Sequence, residues 1–130
     1  MADYISLADF KSYTGITSAD GIDDLVISTL ISGASLYIDK FTGRRFTANT
    51  ETRYFTPPTS GRDLRVIFLD DDLLSITTLT NGDSTVITAT HYNLLPLNTS
   101  PKYAIRLKES SIYSWQSTSA GDAFGAISVA

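Results

Sequence analysis

The sequence predicts an α+β protein in which a short helix and a long helix lead into an antiparallel β region. Three observations carry that prediction. Up to Phe46 the apolar residues recur at helical spacing between residues suited to helix ends. After Phe46 the texture changes to short runs rich in Thr, Tyr, Phe, Val and Ile, broken by turn residues. The connections between those runs are too short for crossover helices, so the strands must pair antiparallel. The expected organisation is a helical part over residues 1–46, a β part of the same domain over 47–110, and a C-terminal tail or strand over 111–130.

The first helix is expected to start at Ser6, a good N-cap, with Asp9 at the third helical position near the positive end of the helix dipole. Leu7, Phe10 and Tyr13 are spaced three apart and are expected to share a face, and Gly15 is a natural stop. A polar turn, Thr17 to Gly21, follows. The long helix is expected from about Ile22 to Phe41. Asp20, Asp23 and Asp24 favour its start, Lys40, Arg44 and Arg45 favour its end, and Gly43 supplies the stop. At that length it is a rod of roughly 30 Å.

The face pattern of the long helix is its most informative property. Asp24, Ser28, Ser32, Ser35 and Asp39 recur at steps of three or four and form one narrow polar stripe. Most other positions are apolar. A surface helix needs an apolar stripe only somewhat wider than about 100°. This helix must therefore bury more than one side, either under its own domain or under a neighbouring subunit.

Strands are expected near Thr50–Thr56, Leu64–Leu69, Leu74–Thr80, Thr85–Thr88, Tyr92–Leu95 and Tyr103–Lys108. Asn81-Gly82-Asp83 is a strong hairpin signal, because Asn-Gly tolerates positive φ at both central positions. Pro57-Pro58-Thr59-Ser60-Gly61 and Asn98-Thr99-Ser100-Pro101 are loops. Ser110–Ala130 is rich in Ser, Gly and Ala. Its end, Ala126–Ala130, looks like a strand that stops abruptly, as in a shortened chain or a tail that a partner orders.

Composition narrows the function classes. The chain has 130 residues, 42% hydrophobic and 18% charged, which suits one folded domain with a real core. Its net charge of −4 argues against tight phosphate binding over the whole surface and suits a channel that lets DNA pass without sticking. With no cysteine, disulfides and thiolate chemistry are excluded. No apolar run approaches the roughly 18 residues of a membrane span, and Met1-Ala2-Asp3-Tyr4 lacks the pattern of a signal peptide. Charge is uneven. Five arginines (Arg44, Arg45, Arg53, Arg62, Arg65) cluster between two acidic stretches. That pattern reads as solvated charge or as a contact surface for an acidic partner.

Catalytic chemistry has little to stand on. His91 is the single histidine and no Gly-x-Ser-x-Gly elbow accompanies it, so a structural or surface role is expected. Asp70-Asp71-Asp72 is the densest acidic cluster, but it lacks the calcium-loop pattern and is expected to be a solvated turn between strands. Phosphate loops and dinucleotide fingerprints are absent. The aromatics are spread along the chain and suit core and interface positions more than a base-stacking platform. No enzyme activity, cofactor or metal is expected.

One segment order resembles a known family. It runs from Tyr4-Ile-Ser-Leu-Ala-Asp-Phe-Lys-Ser-Tyr-Thr-Gly-Ile16 to the Asp23-Asp24 helix start. The helix ends in Ala34-Ser-Leu-Tyr-Ile-Asp-Lys-Phe-Thr-Gly-Arg-Arg-Phe46. Thr52-Arg53-Tyr54-Phe55, Leu64–Leu69, Leu74–Leu79, Tyr92-Asn93-Leu94 and Ala104-Ile105-Arg106-Leu107 follow. This order is similar to tailed-bacteriophage head–tail connector (adaptor) proteins with a β insertion after their helices. It covers nearly the whole chain, and its most specific piece is Ala34 to Phe46. In longer relatives a Gly-rich, aromatic segment and further helices follow the region matching Ala126–Ala130; here the chain stops.

The resemblance implies a structural virion protein of the neck, assembled in the host bacterial cytoplasm. It implies a homo-oligomeric ring, commonly of twelve subunits, docked on the portal protein. Such a ring extends the channel for double-stranded DNA and offers a platform to a stopper or tail-completion protein. Within that frame Leu25, Ile27, Ile31, Ala34 and Ile38 are expected to include the subunit-facing side, and Arg44, Arg45 and Arg53 to meet acidic groups on a neighbour. The alternatives are a tail-completion or other neck or tail protein, a ligand-binding β domain with exposed aromatics, and a metal-dependent enzyme.

Overall fold

The computed structural model describes residues 3–61 and 63–130. Its contacts divide the chain into two compact units, Met1–Asn49 and Thr50–Ala130. The first holds two helices, α1 (Leu7–Thr14) and α2 (Asp24–Thr42). The second holds six strands: β1 (Arg53–Phe55), β2 (Val66–Leu73), β3 (Leu79–Thr80), β4 (Tyr92–Leu95), β5 (Lys102–Leu107) and β6 (Ile127–Val129). The class is α+β, as the sequence predicts.

In the helical unit the ends fall where local chemistry puts them. Ser6 caps α1 by accepting from the Asp9 N–H at 3.1 Å, and Gly15 closes it in the left-handed conformation at φ 77°. Gly43 does the same for α2 at φ 65°. Asp23 precedes α2 without a side-chain cap bond, and Ile22 lies outside the helix. The inward face of α1 differs from the expected one. Leu7 and Phe10 are half-buried, but Tyr13 points to solvent and Lys11 takes the interior position, 4% exposed. Its Nζ donates to the Asp20 carbonyl at 2.5 Å and pairs with Asp24.

The β unit consists of two three-stranded antiparallel sheets, β1-β6-β3 and β2-β5-β4. Leu79, Ile127 and Val129 from the first sheet and Ile67, Ile105 and Leu107 from the second join Ile87 in one buried cluster. Phe55, Leu69, Ile76, Tyr92, Leu94, Tyr113 and Trp115 pack around it. Period-two alternation places Ile105 and Leu107 on the same face of β5, which explains why both are fully buried.

Several strand expectations are corrected. The strand expected within Ala126–Ala130 forms as β6, the central strand of its sheet, and it is ordered by β1 and β3 of its own unit, not by a partner. Leu74–Thr80 yields only Leu79–Thr80, because Thr77 and Thr78 both donate to the one Ala130 carbonyl and cannot run a ladder. Thr85–Thr88 forms no strand and contributes a single bridge, Val86 to Thr80. The Asp70-Asp71-Asp72 run is no turn between strands but lies inside β2. There the pairing jumps from Phe68–Ala104 to Leu73–Lys102, so β2 advances five residues while β5 advances two. The excess bulges outward and carries the three carboxylates with it.

The Asn81 turn forms, but on other grounds than expected. The only non-glycine residue at positive φ among those described is Ser84, at 68°, and Gly82 is not at positive φ. Gly82 is required by close approach: a Cβ there would lie 2.0 Å from the Gln116 carbonyl oxygen. Asn81 is 2% exposed, and both polar atoms of its side chain are bonded. Its Nδ2 donates to the Ser114 carbonyl at 2.8 Å, and its Oδ1 accepts from the Gln116 N–H at 2.9 Å and the Gly82 N–H at 3.0 Å.

Candidate functional site

The polar stripe of α2 is its packed face. Asp24 pairs with the buried Lys11. Ser32 donates to Asp3 at 3.1 Å, and Ser35 accepts from the Tyr4 N–H at 3.1 Å. Asp39 accepts from the Tyr4 hydroxyl, which in turn accepts from the Phe46 N–H at 3.0 Å. That bond to Asp39, before any burial effect, raises the Tyr4 pKa above its ordinary value. The N-terminal segment and α1 thus engage Asp24, Ser32, Ser35 and Asp39, of which Ser35 is buried and Ser32 stays exposed, with Ile31 beside them at 7% exposure.

Apolar side chains are left on the other side. At about 100° per residue, Val26, Leu30, Tyr37 and Phe41 fall within an arc of about 60°. Leu30 is 67% exposed, Tyr37 68% and Phe41 79%, and the Tyr37 and Phe41 rings stack at 5.9 Å. From Leu25 round to Ala34, about half the circumference, Thr29 and Lys40 are the only polar side chains. A folded surface in water rarely exposes so continuous an apolar strip unless something docks on it. Gly33 and Ala34 lie within the arc, so a docked surface can come close to the helix backbone there.

The apolar residues expected to form a subunit contact differ in exposure. Leu25 is exposed at one border of the arc and Ala34 at the other. Ile38 is partly exposed, Ile27 is half-buried and Ile31 is turned inward. Ile27, Ile31, Ala34 and Ile38 fall within one arc of about 60°, with Leu25 on another side; within that arc Ile31 is buried in its own chain. The sequence shows Val26, Leu30, Tyr37 and Phe41 as apolar but does not single them out. Their distance from the polar stripe marks them only once that stripe is known to face inward.

Arg44 and Arg45 lie just past the α2 stop and are exposed. Arg53 belongs to the β unit, and its acidic partners are those of that unit. Its Nε donates to Glu51 at 2.5 Å, Nη1 to Asp70 at 2.8 Å and Nη2 to Asp71 at 3.1 Å. The bond to Asp70, then that to Glu51, raises its pKa further. A guanidinium fork so engaged ties the β2 bulge to β1 and has little left for a neighbour. Arg62 lies outside the described residues.

A second ion cluster holds the start of β2 to β5. Arg106 donates to Asp63 at 2.9 Å and to Glu109 at 3.1 Å. The Arg65 N–H, then Arg106, keep the Asp63 carboxyl below the usual carboxylate range. His91 is half-buried with its ring edge-on to Tyr113 at 4.8 Å. Among the described residues no group of three His, Cys, Asp or Glu side chains is placed to hold a metal ion. No described helix is long and apolar enough to cross a membrane. Comparisons with protein-family models, with curated proteins and with solved structures each return no match.

Proposed function

We propose that this chain is a structural subunit of a tailed-bacteriophage neck, a head–tail connector that packs side by side with copies of itself in a ring below the portal. The observation that carries this reading is the exposed apolar half of α2, opposite a polar stripe already used inside the unit. A repeated lateral contact would cover that half, and a heterologous contact of this kind closes into a ring when its rotation divides a full circle. The segment order from Tyr4 to Leu107, with Ala34–Phe46 as its most specific part, supports the same reading. A net charge of −4 suits a channel wall that DNA slides past. The partners are the portal protein above and a stopper or tail-completion protein below.

The contact proposed runs along Val26, Leu30, Tyr37 and Phe41, with Arg44 and Arg45 at its end. Its test is Leu30→Glu combined with Tyr37→Glu. Both side chains already face solvent, so the isolated variant should unfold within about 0.5 kcal/mol of the parent. Mixed with portal rings it should fail to form the added ring seen by electron microscopy. Normal rings from the variant reject the contact, and virions that join head to tail without this chain reject the function.

A further inference from the structure

We propose that Asn81-Gly82 is a latent deamidation site, held closed by the native contact with residues 114–117 and opened only when that contact breaks. Asparagine cyclises most readily when glycine follows, since glycine has no side chain to obstruct attack by its own nitrogen. The chain has four asparagines, and Asn49, Asn93 and Asn98 precede Thr, Leu and Thr. In the reaction the Gly82 nitrogen loses its proton to solvent base and bonds to Asn81 Cγ. The Cγ–Nδ2 bond breaks and Nδ2 takes up a proton to leave as ammonia. Water then adds to either carbonyl of the succinimide, giving aspartate or isoaspartate.

Each step is obstructed in the folded chain. Asn81 and Gly82 are both buried, away from the base and water that the reaction consumes. The Gly82 N–H is directed at Asn81 Oδ1, and Nδ2 is held on the Ser114 carbonyl. The Gln116 carbonyl lies where a Gly82 Cβ would be, leaving the backbone little room to rotate into the attacking geometry. The contact also makes the reaction one-way. A carboxylate oxygen in place of Nδ2 would face the Ser114 carbonyl, acceptor against acceptor, and would place a charge where a neutral amide was buried. Isoaspartate would add a backbone atom to a turn closed by the Ser84 N–H to Asn81 carbonyl bond at 2.9 Å. The modification therefore marks chains that have opened and keeps them from closing. It does not depend on a role in a virion.

The experiment holds the full chain in mildly alkaline buffer, folded or in urea, and follows the residue-81 peptide by its one-unit mass gain and by isoaspartate-specific methylation. In urea, Asn81 should convert well ahead of Asn49, Asn93 and Asn98. In buffer its conversion should be at least about tenfold slower, set by the fraction of chains with the contact open. Equal rates folded and unfolded would overturn the protection, and no preference for Asn81 in urea would overturn the site. Converted chains that regain the parent's unfolding midpoint once urea is removed would overturn the one-way character.

Discussion

A methyl group on Gly82 would have nowhere to go. It would sit inside the van der Waals envelope of the Gln116 carbonyl, which is backbone and cannot swing aside. Gly82→Ala must therefore separate the Asn81 turn from residues 114–117. That costs the overlap strain and loosens the bonds from Asn81 to Ser114 and Gln116. The expected loss is about 2 kcal/mol, read as a lower urea midpoint. An unchanged midpoint would mean that the contact contributes nothing. Asp63 permits a prediction in pH. Its folded pKa is depressed, so its stabilising effect is present above the unfolded carboxylate value and is lost as pH falls through the folded one. Its carboxyl should titrate below the ordinary range in a carbon-detected NMR titration. In Arg106→Gln the midpoint should rise only part of the way, because the Arg65 N–H is the larger cause. A return to the ordinary value would assign the whole effect to Arg106.

At the scale of elements, α2 is governed by what its stripe of small polar residues touches. Lys11 is the centre of that packing, with its stem inside and its Nζ between Asp24 and the Asp20 carbonyl. Lys11→Met keeps the volume but leaves both acceptors without their donor. Asp24 stays partly in water, so the loss should be about 2 kcal/mol and not the larger value of a wholly buried pair. Helix content and unfolding midpoint should fall together; a variant as stable as the parent would make the pair dispensable. Elements set by local chemistry were legible in the sequence. The Ser6 cap, the Gly15 and Gly43 stops and the β4 run Tyr92–Leu95 all stand where the residues predict. Elements set by distant partners were not. Nothing within Leu74–Thr78 announces that Ala130 will take two of its N–H groups, and nothing around Asp70 announces that Arg53 will hold it within a bulge. The inward turn of the α2 polar stripe was hidden for the same reason, since its partners Asp3, Tyr4 and Lys11 come from another segment.

For the molecule as a whole, the two units are unequal in what they bury. The β unit closes a cluster of seven buried apolar side chains drawn from both of its sheets. Among the described residues of the helical unit, Ile31 is the one buried apolar side chain. Stability in helices comes mainly from packing an apolar face, not from propensity, and here the packed face is polar while the apolar face is bare. Opening free energy should therefore differ along the chain. In the isolated protein, amide hydrogens of α2 should exchange well before those of β5 and β6. A cover over Val26, Leu30, Tyr37 and Phe41 supplies the burial that the free unit lacks. The proposed ring assembly should then slow exchange along α2 by about tenfold or more while leaving β5 nearly unchanged. If α2 is already as protected as β5 in the free chain, its apolar half needs no cover and the argument for lateral packing loses its physical basis.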